Sequence, residues 1–298
     1  MSSSDALDAN TQIEDRHVEG CLDAEDRPLI ALLGGTRPHC VVTRPPSWAR
    51  RIYGVWLRHV RVYSKNLISN ALPPFLEPLI FLVGIGLGLG QFIGTMNGAP
   101  YIEYLATGLM VTAAMFTAAF ECSFGTYIRL EFDKVYDGML GAPMSVHDLL
   151  IGEMLWAGTK GFVFTFSVMV ITTLFGIVPL RSVFFAPLLG FITGTMFAAL
   201  GFLMTSIVDN INQFNFFFSG FISPMFFFAG VFFPVENLPA FVRPITEILP
   251  LTHPVRLMRG LFAGQLGRQH LFSLGYVIAL TVAVGAWGIS RLKRKLID

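Results

Sequence analysis

The sequence EFDKVYDGMLGAPMSVHDLLIGEM, residues 131–154, is a charged segment between two long apolar stretches, and we call it the elbow. Its first apolar residues follow the spacing of one helix face: Phe132, Val135, Tyr136, Met139 and Leu140. This pattern predicts a short helix. Gly141 and Pro143 favour an end to that helix, because proline lacks the N–H group that a continuing helix needs.

A second helix is predicted directly after this break. Asp148 follows Ser145 by three residues, which is the spacing of a capping box at the start of a helix. The new helix continues into the next apolar stretch. The elbow thus has a defined order of helix, break and capped helix. Its apolar face needs a cover, which is either the protein's own bundle or a partner protein.

The composition indicates a polytopic membrane protein. The chain has 298 residues, of which 53% are hydrophobic and only 14% charged, whereas soluble domains carry about 25% charged residues. It contains 29 Phe and 29 Gly, a combination common in helices that face lipid and pack closely. The net charge of +1 gives no indication of a nucleic-acid partner. The three cysteines lack metal-type spacing, so no metal site is predicted.

Six stretches are long and apolar enough for the roughly 20 residues that a spanning helix needs. They are residues 72–93, 104–124, 154–178, 184–208, 214–233 and 271–289. The predicted fold is an all-α polytopic membrane protein with six transmembrane helices. Prolines interrupt the start of the first span, and Pro224 lies near the middle of the fifth.

The distribution of basic residues predicts the orientation of the spans. Arginine and lysine residues cluster before the first span and after the last, and loop 94–103 has none. Cytoplasmic flanks are enriched in these residues, so both termini and the elbow are expected on the cytoplasmic side. Four arginines oppose this assignment, since they follow the fifth span on the outer side: Arg243, Arg256, Arg259 and Arg268.

Residues 1–46 form a separate acidic region, which we expect to be a disordered cytoplasmic tail. A start codon assigned too early is the alternative. The transmembrane domain is expected to comprise residues 47–298.

A two-faced helix is predicted to start after Ser47, as its N-cap, and to run to about Asn70. Trp48 and Trp56 belong to its apolar stripe, while Arg58 and Arg61 lie on the basic side and Arg51 precedes them. This pattern fits a helix in the headgroup layer. It serves either as an anchor or as a lever that receives force from a cytosolic partner.

Ionisable residues in the spans are confined to the predicted cytoplasmic ends: Glu77, Glu121, Glu153 and Lys160. Lys160 is close enough to an end to extend to the interface. Ion-coupled carriers usually place a polar site near the midplane, so ion coupling is disfavoured. The chain contains neither a phosphate-binding loop nor a nucleophile–base motif. No catalytic residue is predicted, and His147, His253 and His270 are interpreted as loop histidines.

The fifth span is rich in phenylalanine, and Pro224 is expected to kink it. Such a helix suits a wall along which an amphiphilic substrate passes, or a plain lipid-facing helix. The predicted substrate path consists of Phe217, Phe221, Pro224 and Phe227.

A proline-divided segment follows, with pieces too short to span the membrane and too apolar to be fully solvated. We expect it to form a lid on the outer leaflet, with Pro234, Leu238, Pro239, Pro250 and His253.

Small residues recur four apart at Gly84 and Gly88, at Gly86 and Gly90, and in the fourth span. This spacing allows close helix crossing, either within one chain or at a dimer seam.

Two segments resemble the ABC-2 type permeases, which are the membrane subunits of ATP-binding-cassette exporters. They are YDGMLGAPMSVHDLLIGEMLWAGTKG (136–161) and FFPVENLPAFVRPITEILPLTHPVRLMRGLFAG (232–264). The resemblance runs from about residue 48 to the C-terminus. Within this family, the motifs GLGLG, YIEYLATGLMVTAAM and ILPLTHPVRLMR are most similar to nodulation-factor (lipo-oligosaccharide) export permeases. The long acidic tail departs from the pattern.

The resemblance implies that the elbow holds a coupling helix that docks on a cytosolic ABC ATPase subunit. The implied contact residues are Asp137, Gly138, Met139, Leu140, Gly141, Ala142 and Pro143. The helix after Ser47 would be the connecting helix, and the proline-rich segment would form re-entrant extracellular helices. The implied assembly has two permease and two ATPase subunits in the bacterial inner membrane, with ATP bound by the ATPase.

The predicted function is export of an amphiphile, such as a lipo-oligosaccharide, a polysaccharide or a drug-like lipid. The alternatives are an ion-coupled secondary transporter and a membrane-embedded enzyme acting on lipid-linked sugar. The enzyme would use carboxylates clustered at one interface, for which Glu77, Glu121 and Glu153 are the candidates.

Overall fold

A computed structural model describes residues 46–66, 72, 76, 78–96, 98–178 and 185–297 of the chain. The predicted tail, Glu77 and the end of the predicted connecting helix lie outside these residues, apart from Pro46. Residues Ser47–Asp298 form one compact unit. The described part is built almost entirely from α-helices, as predicted.

Ten helical segments follow one another in the described part. They are α1 (Trp48–Lys65), α2 (Pro78–Ile93), α3 (Tyr101–Phe132), α4 (Val135–Leu140), α5 (Val146–Leu174), α6 (Phe185–Ile207), α7 (residues 214–228), α8 (Arg243–Ile248), α9 (Thr252–Ala263) and α10 (Arg268–Ile297). Short 3₁₀ turns cover Ile211–Gln213 and Val235–Asn237. A two-residue antiparallel ladder pairs β1 (Thr95–Met96) with β2 (Ala99–Pro100).

Four of these helices are long and apolar enough to cross a membrane: α3, α5, α6 and α10. They correspond to the second, third, fourth and sixth predicted spans. Helix α2 ends at Ile93, which is the predicted end of the first span. The described part of α2 and the whole of α7 are shorter than the four long helices.

Three helices differ in extent from the predicted second, third and fifth spans. Helix α3 continues to Phe132, just inside the elbow, and α5 already begins at Val146 within it. Helix α7 stops at Phe228 instead of Phe233. It stops there because Gly230 has a positive φ of 87°, a conformation that continues no right-handed helix.

Wide π-helical turns interrupt α3 at Glu121–Gly125 and at Ile128–Phe132. Side chains bind the carbonyl group of Glu121 in the first turn: Thr126 Oγ1 donates to it at 3.4 Å and Arg129 Nη2 at 3.2 Å. Such turns often occur at functional sites, because they re-aim the side chains that follow. Here the turns direct Arg129 towards helix α5.

A similar wide turn at Phe218–Ile222 precedes Pro224 in α7. The N–H group of Ser223 donates to the carbonyl of Phe218, five residues earlier. The expected irregularity in the fifth span is therefore present as a π-helical turn, which ends just before the proline.

The glycines of α6 pack against α5 within the same chain. A Cβ atom at Gly161 would lie 2.6 Å from the carbonyl oxygen of Gly190, and one at Gly194 would lie 3.1 Å from that of Ala157. The spacing of small residues in the fourth span therefore serves packing within the chain. Gly84 and Gly88 of α2 have no heavy atom within 4 Å of such a Cβ among the described residues.

Candidate functional site

The elbow has the predicted order of helix, break and capped helix. Helix α4 is entered through Lys134, whose φ of 50° reverses the chain after α3, and it ends at Leu140 before Gly141 and Pro143. Left-handed backbone at a lysine is uncommon and indicates a turn that its surroundings enforce. Phe132 departs from the prediction, because it ends α3 and is exposed.

The capping box at the start of α5 is confirmed. The backbone N–H of Asp148 donates to Ser145 Oγ at 3.2 Å, and the N–H of Ser145 donates to Asp148 Oδ2 at 2.9 Å. Asp148 is also paired with Arg51 of α1, with Nη1 and Oδ2 3.2 Å apart. The cap therefore fixes the start of α5 within the elbow, and Asp148 ties it to α1.

The seven predicted docking residues lie in α4 and directly after it. Met139 and Leu140 are half-buried and the others are exposed: Asp137, Gly138, Gly141, Ala142 and Pro143. The opposite face of α4 is held by Tyr136, which has no exposed surface. The bundle thus covers one face of this helix, where Met139 and Leu140 also pack against the core, and leaves the other five predicted docking residues exposed.

Tyr136 connects the elbow to the bundle. Its hydroxyl oxygen lies 3.5 Å from Arg129 Nε and accepts from it. Burial raises the pKa of the Tyr136 hydroxyl well above its usual value, and the nearby charge of Glu153 adds to this shift. The tyrosine is therefore neutral at any physiological pH.

Arg129 is the centre of a buried network of charges. Its Nη1 donates to Glu121 Oε1 at 2.8 Å and its Nη2 to Glu153 Oε2 at 2.7 Å. Lys160 Nζ donates to Glu121 Oε2 at 2.5 Å. Two carboxylates and two cations balance, as buried charges must if they are not to be strongly destabilising.

His59 of α1 completes the network. Its Nε2 lies 3.0 Å from Glu153 Oε1. Because an arginine-paired carboxylate is ionised and only accepts, the imidazole Nε2–H donates. The network, defined as His59, Glu121, Arg129, Glu153 and Lys160, therefore joins α1, α3 and α5, and Tyr136 attaches α4 to it.

The connecting helix α1 packs along the first turns of α5. A Cβ atom at Gly152 would lie 2.6 Å from Val55 Cβ, and Trp56 Nε1 donates to Thr159 Oγ1 at 3.0 Å. Ser47 precedes the helix as predicted, but only its carbonyl group accepts from the first turn. Of the other residues predicted for this helix, Arg58 is half-buried, while Trp48 and Arg61 are exposed.

His59 and Arg129 belong to the charged network but were not predicted as site residues. His59 lies four residues after Val55 on the buried face of α1, and Arg129 lies eight residues after Glu121 on α3. A histidine on an otherwise apolar face was the available signal. Lys160 is paired with Glu121, and its ammonium lies 4.9 Å from the centre of the Tyr63 ring.

An aromatic groove of about 500 Å³ opens beside α3 and ends at the charged network, since Glu121 and Lys160 also line it. Its aromatic lining comes from Phe81, Phe116, Phe120, Phe124, Phe164 and Phe226. The four residues predicted for a substrate path do not line this groove. Phe217 is buried and stacks on Phe221, with ring centres 5.9 Å apart, whereas Pro224 and Phe227 are exposed.

The proline-divided segment folds into α8 and α9 and packs against α10. The carbonyl oxygen of Glu247 lies 3.0 Å from His253 Nε2, and the ring of His253 stacks on that of Tyr276. Pro234, Leu238 and Pro250 are buried, and Pro239 is exposed.

The interpretation of three residues as loop histidines is wrong. His147, His253 and His270 all lie in the first turn of a helix, at the starts of α5, α9 and α10.

Comparison with known proteins agrees with this architecture. The model of the ABC-2 type transporter family matches residues 50–263. Nodulation protein J of Azorhizobium caulinodans is 34% identical over 238 residues, which are 78% of this chain and 92% of that protein. Nodulation protein J of Rhizobium leguminosarum bv. trifolii is 32% identical over 223 residues, which are 75% of this chain and 85% of that protein.

A more distant relative matches a similar share of this chain. The inner membrane transport permease YadH of Escherichia coli K12 is 20% identical over 229 residues, which are 77% of this chain and 89% of that protein. The family match covers more than half of the chain and includes the elbow, the charged network and helices α8 and α9. The chain is therefore a multi-pass membrane transport protein of the ABC-2 type transporter family.

Proposed function

We propose that this chain is the membrane subunit of an ABC exporter, driven by a separate cytosolic ATPase subunit that binds the ATP. The observation that carries the proposal is the two-sided elbow helix α4. Its exposed face holds Asp137, Gly138 and the Gly141–Pro143 break, while its buried face holds Tyr136.

The contacts of Tyr136 support a mechanical path. Movement of the ATPase subunit would displace α4, and the Tyr136–Arg129 contact would pass that displacement to the charged network. Arg129 is bonded to Glu121 in α3 and to Glu153 in α5, and Glu153 is bonded to His59 in α1. Because salt bridges between buried groups resist separation, these three helices would move as one unit.

In this proposal the chain has six spans, and both termini and the elbow are cytoplasmic in the bacterial inner membrane. Helices α2 and α7 serve as the first and fifth spans. Helices α8 and α9 are the re-entrant extracellular segment, with exposed apolar residues such as Phe241, Ile245 and Ile248 towards lipid.

The substrate class is an amphiphile such as a lipo-oligosaccharide. The aromatic groove supports this class, because its wall is apolar and its inner end is charged at Glu121 and Lys160. The name of the rhizobial relatives, nodulation protein J, supports an exported signal of this type. The predicted path along Phe217, Phe221, Pro224 and Phe227 lies outside this groove, so the groove replaces it as the proposed route.

The working unit in this proposal contains a second permease subunit. The open face of α2 at Gly84 and Gly88 supports a close contact with another helix, because small residues at this spacing let backbones approach.

The alternatives fit the charged network less well. Both Glu121 and Glu153 are paired with cations, so neither is a free carboxylate for lipid-linked sugar chemistry or for proton binding. The enzyme alternative predicts turnover by the purified chain alone. The ion-coupled alternative predicts transport that continues without ATP and stops when the proton gradient is dissipated.

The test is ATP-driven transport of a fluorescent lipo-oligosaccharide in proteoliposomes that contain the chain and its cognate ATPase. The double substitution Gly141→Ala and Pro143→Ala, on either side of Ala142, is expected to extend helix α4 through the break. We expect ATP hydrolysis without transport, with normal membrane insertion. The substitution Asp209→Asn, at an exposed residue outside the elbow, is the control and should leave transport unchanged. Transport at the normal rate by the alanine variant would contradict the proposal.

A further inference from the structure

A second cavity lies at the opposite end of the bundle from the elbow. It has a volume of about 460 Å³ and is lined by the start of α3, the residues after α7, and helix α9. Tyr104 in its wall and Arg129 in the charged network are both in α3, 25 positions apart. At 1.5 Å per residue this corresponds to about 37 Å along the helix. The cavity is therefore on the outer side in the proposed topology.

Arg259 and Tyr104 in the wall of this cavity are held by contacts with each other and with the backbone. The guanidinium of Arg259 lies 3.6 Å from the centre of the Tyr104 ring, and its Nη2 donates to the carbonyl of Gly230 at 2.5 Å. The Tyr104 hydroxyl donates to the same carbonyl at 3.0 Å. Burial lowers the pKa of Arg259 to about 10, so this group is still a cation at neutral pH.

Charges of both signs surround the cavity. A neighbouring cavity of about 570 Å³ shares the lining residues Glu236 and Arg256 with this outer cavity. The two are lined together by three carboxylates and three guanidinium groups: Glu103, Glu236, Glu247, Arg256, Arg259 and Arg268. Glu247 is paired with Arg256. Glu103 and Glu236 have no ion-pair partner among the described residues.

This balance favours one chemical class of ligand. An anionic ligand would meet three carboxylates, and a cationic ligand would meet three guanidinium groups. A hydroxyl group both donates and accepts, so a neutral polyhydroxylated ligand can use both sets of partners. The remaining wall includes Val255 and Phe262, which suit the C–H faces of a sugar ring.

We infer that the joined outer cavities bind the neutral saccharide part of the transported amphiphile, with Glu103 and Glu236 accepting its hydroxyl groups and Arg256 and Arg259 donating to it. The inference rests on the proposed function for its topology and for the amphiphilic substrate. It assigns a saccharide site to the outer end of the bundle, next to the aromatic groove that would take an acyl chain, since Thr107 lines the cavity and Leu109 lines the groove.

Binding is measured by saturation-transfer NMR and calorimetry on the nanodisc-embedded complex of the chain with its cognate ATPase. The probes are three matched β-1,4-linked tetrasaccharides: neutral cellotetraose, the cationic glucosamine tetramer and the anionic glucuronate tetramer. We expect both charged probes to bind at least tenfold more weakly than cellotetraose. The dodecyl glycoside of cellotetraose tests whether the site prefers a free or a lipid-linked saccharide. Tighter binding of the glycoside than of cellotetraose indicates that the natural ligand is lipid-linked.

The double substitution Glu103→Gln and Glu236→Gln removes two negative charges with little change in shape. We expect cellotetraose to bind at least tenfold more weakly, and the glucuronate tetramer to bind more tightly than before. The control Asp209→Asn exchanges a carboxylate for an amide at the end of the bundle where the elbow lies. It should change neither the affinity for cellotetraose nor that for the glucuronate tetramer. The inference is overturned if the wild-type complex does not bind cellotetraose. It is also overturned if the double variant binds the probes with the same affinity and charge selectivity as the wild type.

ATP-driven transport measured on the same samples separates this inference from the proposed function. Transport by a wild-type complex that binds no saccharide overturns the outer site alone. Saccharide binding in a complex whose ATP hydrolysis never drives transport contradicts the proposed function and leaves the site in place.

Discussion

Arg129 and Glu153 are joined by a 2.7 Å contact between Nη2 and Oε2, and this ion pair links helix α3 to helix α5 beside the elbow. Glu153 is fully buried and Arg129 is largely so. A buried charge that loses its partner is strongly destabilising, and this physical fact makes the pair testable.

The substitution Arg129→Met should destabilise the protein by about 3–5 kcal/mol, because it leaves both Glu121 and Glu153 without their main cation. Combining it with Glu153→Gln should recover part of this loss, since one unpaired carboxylate is then neutral. Thermal unfolding of the purified variants in detergent gives the double-mutant cycle. The cycle also includes Glu153→Gln alone, and a loss in the double variant equal to the sum of the two single losses would show that the pair contributes no coupling.

The substitution Tyr136→Phe removes the hydroxyl that accepts from Arg129 while the ring stays in place. A single hydrogen bond contributes about 1 kcal/mol, so a small loss of stability is expected. Transport per ATP hydrolysed should fall much more. Tyr136→Ala also leaves a cavity and should cost about 3–5 kcal/mol. If Tyr136→Phe transports as efficiently as the wild type, the hydroxyl does not transmit movement from the elbow.

The substitution Gly152→Ala tests the contact between the connecting helix and α5. The added Cβ would lie 2.6 Å from Val55 Cβ, so α1 has to shift, at a cost of about 1–3 kcal/mol. Val55→Ala in the same chain should restore much of the stability, measured as the melting temperature.

Gly84→Ala is the matched control for this substitution, because its Cβ meets no described atom within 4 Å. It should be neutral for the isolated chain. A change in subunit association with Gly84→Ala, measured by mass photometry, would place a second subunit on α2.

The buried His253 predicts a pH dependence of the outer segment. Burial holds the pKa of His253 below its usual value of 6.5. The folded state thus binds the proton less readily than the unfolded state, so the stability is present above about pH 6.5 and falls as the pH drops through the lowered pKa. Facing groups include Glu247, Arg256 and Ser273.

The difference in melting temperature between the wild type and His253→Gln should therefore shrink as the pH falls from 7.5 to 5. His147→Gln, at an exposed position of α5, provides the comparison and should show no such trend. A constant difference for His253→Gln over this range would exclude titration of His253 as the cause.

Local features of the elbow were predictable from the sequence. The Gly141–Pro143 break and the Ser145–Asp148 capping box depend on residues a few positions apart, so short-range hydrogen bonding and proline geometry decide them. The apolar length of α3, α5, α6 and α10 was equally visible, because a lipid environment requires long uncharged helices. The end of α7 was missed, since an apolar run does not reveal the turn at Gly230.

The tertiary structure alone decided how the charges pair. Glu121, Glu153 and Lys160 were identified as residues near one end of the spans. The partner that the two carboxylates share, Arg129, depends on two π-helical turns that change which face of α3 it occupies. His59 meets Glu153 across 94 positions of the chain. Hydrophobic periodicity determines which helices form, whereas the partner of a buried charge depends on how those helices cross, and that requires all of them to be in place.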